Sequence, residues 1–216
     1  MYIPHAFAVA SQAEILGTLR RISFGHLVST DVTGRHPLQS TALPFVVDDE
    51  LSELRCHFAL ANQHWKHIDG FAALMIVAGT DAYISPRWYA SKVEDGRVVP
   101  TWNYEVIHIH GKVEIHNDPS WKRELVTDLT DHNERQVGDP ERTEAWAVSD
   151  APTEFIDSQL KAIVGVRLEI TAVEAKRKLS QNKSVADRTG AIEGLVRAPR
   201  PDDIETAALM RSSDQR

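Results

Sequence analysis

Between residues 104 and 116 the chain alternates apolar and polar side chains with a period of two. Ile107, Ile109, Val113 and Ile115 fall on one face, and His108, His110, Lys112, Glu114 and His116 on the other. That period belongs to a strand with one buried and one wetter face, and such a strand must find partners. Short apolar runs bounded by turn residues supply them at residues 25–30, 39–47, 54–60, 71–84 and 164–173. Helical spacing marks residues 11–23, through Ile15, Leu16, Leu19 and Ile22, and residues 153–163. Asp118 followed by Pro119 opens another helix, with Trp121, Leu125 and Leu129 on its stripe. Asn62 caps a short helix over residues 62–68. A last helix is read over residues 184–196, weakened by Gly190 and Gly194. The pattern predicts a mainly β, α+β fold, an antiparallel barrel with peripheral helices. A doubly wound parallel sheet is disfavoured, because there is no Gly-x-Gly-x-x-Gly and no regular strand–helix alternation. Residues 1–200 are read as one domain; residues 201–216 turn polar and are expected to fray or dock weakly.

Composition narrows the function classes. The 216 residues are 42% hydrophobic and 25% charged, ordinary for a globular chain. No run approaches the ~18 apolar residues of a membrane span, and the start lacks the basic n-region of a signal peptide. Cys56 is the single cysteine, so no internal disulfide forms. It reads as a small buried hydrophobe, which fits a reducing cytoplasm. The net charge of −7 argues against a broadly nucleic-acid-binding surface, since phosphate neutralisation needs clustered cations.

Chemistry concentrates in three segments. Residues 82–104 gather two of the five tryptophans, three of the four tyrosines and two prolines. Rings beside fixed turns suit a flat ligand with a polar edge, or else simply fill a β-rich core. Asn62-Gln63-His64-Trp65-Lys66, with Gln39, Ser40 and Thr41 on the preceding strand, reads either as a phosphate cradle or as an ordinary capped surface helix. Residues 176–183 carry four cations around Ser180, Gln181 and Asn182, a solvated face or a phosphate- and ring-edge-binding run. The ten histidines include the pairs His108 with His110 and His64 with His67. Two imidazoles per element fall short of a zinc site, and no HExxH pattern, nucleophile elbow or Walker loop is present. No catalytic residue is assigned.

In order, Met1-Tyr-Ile-Pro4, His57-Phe-Ala-Leu-Ala-Asn62, Tyr83-Ile-Ser-Pro-Arg-Trp-Tyr89, Val99-Pro-Thr-Trp-Asn-Tyr104 and Lys178-Leu-Ser-Gln-Asn182 resemble the PaiB-type family of FMN-binding proteins, often called negative transcriptional regulators. The resemblance runs from residue 1 to about residue 195. It implies a split β-barrel of the pyridoxamine-phosphate-oxidase type, assembled as a homodimer with FMN in a cleft between subunits. By the same resemblance Ser40, Thr41, Asn62 and Lys66 face the flavin phosphate and ribityl chain. Ser85, Trp88, Tyr89, Trp102, Asn103, Lys178, Ser180, Gln181 and Asn182 build the rest of the cleft, some from the partner chain. Gln63-His64 departs from the pattern, which leads one to expect a proline there. A flavin needs apolar faces, donors at the ring edge and a phosphate pocket, and the motifs offer all three. The implied function is an FMN-binding transcriptional regulator, with direct DNA contact left open. The alternatives are a small FMN-dependent oxidoreductase or flavin reductase drawing on NAD(P)H, and a haem-binding or haem-degrading split barrel.

Overall fold

The computed structural model describes residues 1–31, 36–94, 96–137 and 144–213. Among the described residues six strands build the sheet: β1 (Phe24–Thr30), β2 (Leu38–Val47), β3 (Glu53–Ala59), β4 (Ala72–Ile84), β5 (Thr101–His116) and β6 (Ile163–Lys178). They close into a barrel in the order β1-β2-β3-β6-β5-β4, with β1 pairing antiparallel to β4 at His26 and Ile76. The helices are α1 (Gln12–Ile22), α2 (Ser91–Glu94), α3 (Pro119–Val137), α4 (Thr153–Leu160), α5 (Val185–Val196) and α6 (Pro201–Ser212). The barrel with peripheral helices is the architecture the alternation implied. Among the described residues no helix is long and apolar enough to cross a membrane.

The chain folds as two compact units, one of Leu16–Val77 with His108–Val173, the other of Met1–Ile15, Ala78–Ile107 and the chain from Glu174 onward. In the first, strand alternation turns Leu27, Phe45, Leu54, Phe58, Val166 and Leu168 into a dry interior. Each such side chain contributes on the order of 1.5–3 kcal/mol. Cys56 is fully buried among them, and burial pushes its thiol up to about 12. Asp118 caps α3 by accepting the Trp121 N–H at 2.9 Å. Leu125 and Leu129 of that helix are buried, and Trp121 stacks on His116 at 4.2 Å. The buried Lys122 ammonium donates to the Leu160 and Ile163 carbonyls at 2.7 and 3.2 Å. It thereby satisfies the Leu160 carbonyl freed at the end of α4 and ties it to the first residue of β6.

In the second unit, α5 and α6 pack with Ala82, Ile84, Tyr89 and Leu179 into a separate core. β6 runs beyond the stretch 164–173 read from sequence and takes in the basic residues 176–178. Arg177 is held there by Glu105, at 2.7 Å and 3% exposed, and by Glu14 at 3.0 Å. The segment after Pro199, read as fraying or docking weakly, is α6. Its Asp203, Thr206, Ala207 and Met210 are buried at helical spacing. Two of those four are polar, which hid the stripe from a hydrophobicity reading. Thr80 donates its hydroxyl proton to the Asp202 carbonyl at 2.8 Å, and Thr206 donates to the Thr80 hydroxyl oxygen at 3.0 Å.

Candidate functional site

Asn62 ends the turn after β3 in extended backbone, and its side-chain oxygen accepts the His64 N–H at 3.0 Å. That cap starts the 3-10 turn Gln63–His67 and swings the His64 ring inward, where it is 6% exposed and meets Phe58 edge-on. Both ring nitrogens are used: Nε2 lies 2.7 Å from Ser29 Oγ on β1, and Nδ1 lies 2.8 Å from Thr41 Oγ1 on β2. The Asn62 amide donates to the same Thr41 oxygen at 3.2 Å. Burial holds the His64 imidazole below its usual range, so its neutral form prevails near neutral pH. The result is a closed set of hydroxyl, amide and imidazole groups with Thr41 half-buried at its edge.

Ser40 does not join this set. Adjacent strand residues point to opposite faces, and Ser40 sits on the exposed face of β2 with Leu38 and Ala42. Lys66 is exposed, its ammonium 5.9 Å from the Trp65 ring centre. His67 is exposed as well, so it forms no buried pair with His64. In the same unit a groove of about 380 Å³ runs past Ser29, bounded by Val28, Leu38, Ala72, Leu74, His110 and Gly111 among others.

The other unit holds the aromatic segment. Ser85 caps the turn Pro86–Trp88 by accepting the Arg87 N–H at 3.3 Å. Trp88 lies on α5, and Tyr89 is 2% exposed within the core. Asn103 is fully buried. Its carbonyl oxygen accepts from the Ser180 hydroxyl at 3.1 Å, and its amide reaches Met210 Sδ at 3.4 Å. Ser180 adopts φ +61°, a left-handed turn. Gln181 closes that turn on itself, accepting from the Leu179 N–H at 2.7 Å and donating to the Arg177 carbonyl at 2.6 Å.

Trp102, by contrast, is 48% exposed and Tyr83 44% exposed, edge to face at 5.9 Å. The Arg200 guanidinium lies 6.0 Å from the Trp102 ring centre while paired with Asp81 and Asp202. Lys178 donates to the Trp102 carbonyl at 2.7 Å and to Thr101. Burial first, then the Lys176 and Lys183 charges, push its ammonium down. Asn182 is exposed. Of the residues named from sequence, Thr41 and Asn62 thus share one polar cluster. Trp102, Lys178 and Asn182 offer accessible aromatic, cationic and amide groups, while Tyr89, Asn103, Ser180 and Gln181 are spent on internal contacts. Sequence reasoning missed Ser29 as the partner of His64 and Arg200 as the neighbour of Trp102. His64 itself was visible inside the Asn62–Lys66 run, but only the closed barrel reveals which hydroxyls it meets.

The donor set fits a flavin nucleotide at its phosphate end: hydroxyl and amide around Thr41 and Asn62, and an exposed ammonium at Lys66 one turn later. The exposed Trp102 face fits a planar ring.

Comparison with known proteins accords with this chemistry. The family model described as "Putative FMN-binding domain" matches residues 1–172. The protease synthase and sporulation protein PAI 2 of Bacillus subtilis is 31% identical over 211 residues, covering 97% of this chain and 96% of that protein. The uncharacterized protein AN0679 of Emericella nidulans is 28% identical, covering 90% of each chain. Among solved structures, the FAD and heme binding protein from Mycobacterium smegmatis superposes with a TM-score of 0.57 at 14% identity, over 85% of this chain and 78% of that one. The flavocytochrome Anf3 from Azotobacter vinelandii gives 0.56 at 16% identity, over 81% and 70%. These two likenesses establish the barrel fold. With an FMN-binding domain matched over most of its length and a full-length relative above 30% identity, the chain belongs to the PaiB-type family of FMN-binding split-barrel proteins, and FMN is its cofactor.

Proposed function

We propose that this protein is a homodimeric, FMN-dependent regulator that senses redox or metabolite state and alters transcription without itself reading an operator. The observation that carries the reading is the hydrogen-bonded set Asn62–Thr41–His64–Ser29, a built polar site suited to the anionic end of FMN. Trp88, Trp102, Lys178 and Asn182 would serve the ring and its edge. Ser40, Lys66, Ser85, Tyr89, Asn103, Ser180 and Gln181 remain in the proposed cleft as its wall and supports. When bound, FMN supplies the redox chemistry; the chain's groups bind and orient it.

Three observations support the finer parts of the proposal. The exposed Leu38 and Phe71, at 71% and 65%, leave apolar surface on the barrel unit that a second copy would cover. The net charge of −7 disfavours direct phosphate-backbone contact. The name of the Bacillus subtilis relative links that protein to protease synthesis and sporulation.

Steady-state NAD(P)H oxidation by FMN-loaded protein, run beside gel shifts under rising salt, tests it. The reading expects no sustained nicotinamide consumption and no sequence-specific shift. Continuous turnover would favour a flavin reductase or oxidase instead. A shift that weakens steeply with salt would establish direct DNA binding.

A further inference from the structure

We infer that His64, held by Ser29, is a positioning residue that sets the direction of the Thr41 hydroxyl proton and so decides whether Thr41 can donate to the FMN phosphate. This inference rests on the reading of Thr41 as a phosphate ligand, and it follows from counting protons around the cluster.

A neutral imidazole has one N–H and one lone pair. With the proton on Nε2, the ring donates to Ser29 Oγ and its Nδ1 accepts the Thr41 hydroxyl proton across 2.8 Å. Thr41 has then spent its only proton inward. It turns a lone pair outward, the wrong polarity for acceptor-only phosphate oxygens. With the proton on Nδ1, the ring donates to Thr41 Oγ1, which already accepts from the Asn62 amide at 3.2 Å. Both Thr41 lone pairs are then filled, and its proton is free to point out to the anion. That arrangement requires a donor to the now bare Nε2, and Ser29 Oγ–H, 2.7 Å away, is that donor. Ser29 is 5% exposed and His64 6%, so water does not readily replace either bond. The asymmetry of the cluster therefore comes from Asn62: its amide is a fixed donor, which leaves the Thr41 oxygen one acceptor position and one proton to share between imidazole and ligand.

The test compares FMN with riboflavin, which has the same ring and ribityl chain but no phosphate. Ser29→Ala is expected to weaken FMN about tenfold, as loss of one buried hydrogen bond does, and to leave riboflavin unchanged. Ser29→Thr, which keeps the donor, is expected to restore FMN binding. Nitrogen-15 NMR of histidine-labelled holoprotein should place the His64 proton on Nδ1. Thr41→Val tests the underlying site: unchanged FMN affinity in that variant would remove Thr41 from the phosphate site and the inference with it. If Thr41→Val weakens FMN while Ser29→Ala does not, or if the holoprotein carries the proton on Nε2, the site stands and the positioning role of His64 is overturned.

Discussion

Trp88 lies so close to Gly194 that a β-carbon at that glycine would sit 2.2 Å from the indole Cδ2; at Gly190 it would sit 2.0 Å from the Trp88 carbonyl oxygen. Two glycines one turn apart, which weaken α5 by propensity, are what let the helix seat on the aromatic turn. Alanine at Gly194 gains up to about 1 kcal/mol of helix propensity, yet it must displace a ring that packs against the α5–α6 core. Overpacking of that kind costs about 1–3 kcal/mol and wins. Chemical denaturation should show Gly194→Ala less stable than the parent. Gly17→Ala in α1, with nothing within 4 Å of the added carbon, should be neutral or more stable.

Lys178 and Asn182 belong to the same unit as Trp102, whose carbonyl Lys178 bonds, whereas Lys112 is exposed on β5. Lys178→Ala combined with Asn182→Ala is expected to weaken FMN at least tenfold, a loss of about 1.4 kcal/mol or more. Lys112→Ala is expected to leave it unchanged. Fluorescence titration with FMN reads the difference, and equal affinities in the two variants would remove this face from the cleft.

The barrel is legible in the sequence itself. Strict alternation in β5 and short runs around turns state where each strand faces, because a strand's burial is written locally in its sequence. The end of β6 and helix α6 were not legible. Arg177 sits in the sheet because Glu105 and Glu14 neutralise it, and Thr206 is buried because Thr80 bonds it. Such compensation comes from residues distant in sequence, so a local hydrophobicity reading marks these positions as exposed. The candidate site divides the same way. Thr41 and Asn62 could be named from their motif, but Ser29 enters only through the β1–β2 register, in which it lies opposite Gln39.

Stability should fall with acid earlier than carboxylate protonation explains. Burial lowers both His57 and His64 from the ordinary 6.5. The unfolded chain therefore binds more protons than the folded one between the lowered values and 6.5. Their contribution is fully present above about pH 6.5 and is lost as pH falls through that window. The carboxylates held low, Asp48 and Asp187, act in the same direction but only near and below their ordinary 3.8. Urea denaturation at pH 7.5 and 5.5 should show the parent less stable at the lower pH. The slope should shrink when His57 and His64 are both replaced by Gln, whatever the absolute stability of that variant; an undiminished slope would assign the effect elsewhere.

Cys56 is sealed inside the barrel with its thiol pushed up to about 12. A thiolate-selective reagent should therefore leave the native protein unmodified at neutral pH and label one thiol per chain in denaturant. Rapid labelling of the folded protein would show that the barrel opens on the labelling timescale.

Size-exclusion chromatography with light scattering and a visible spectrum across the peak tests the central claim, that two chains assemble around bound FMN. The account predicts a single species of two-chain mass carrying the flavin band in proportion to protein. A one-chain mass with no flavin band after incubation with excess FMN would contradict it.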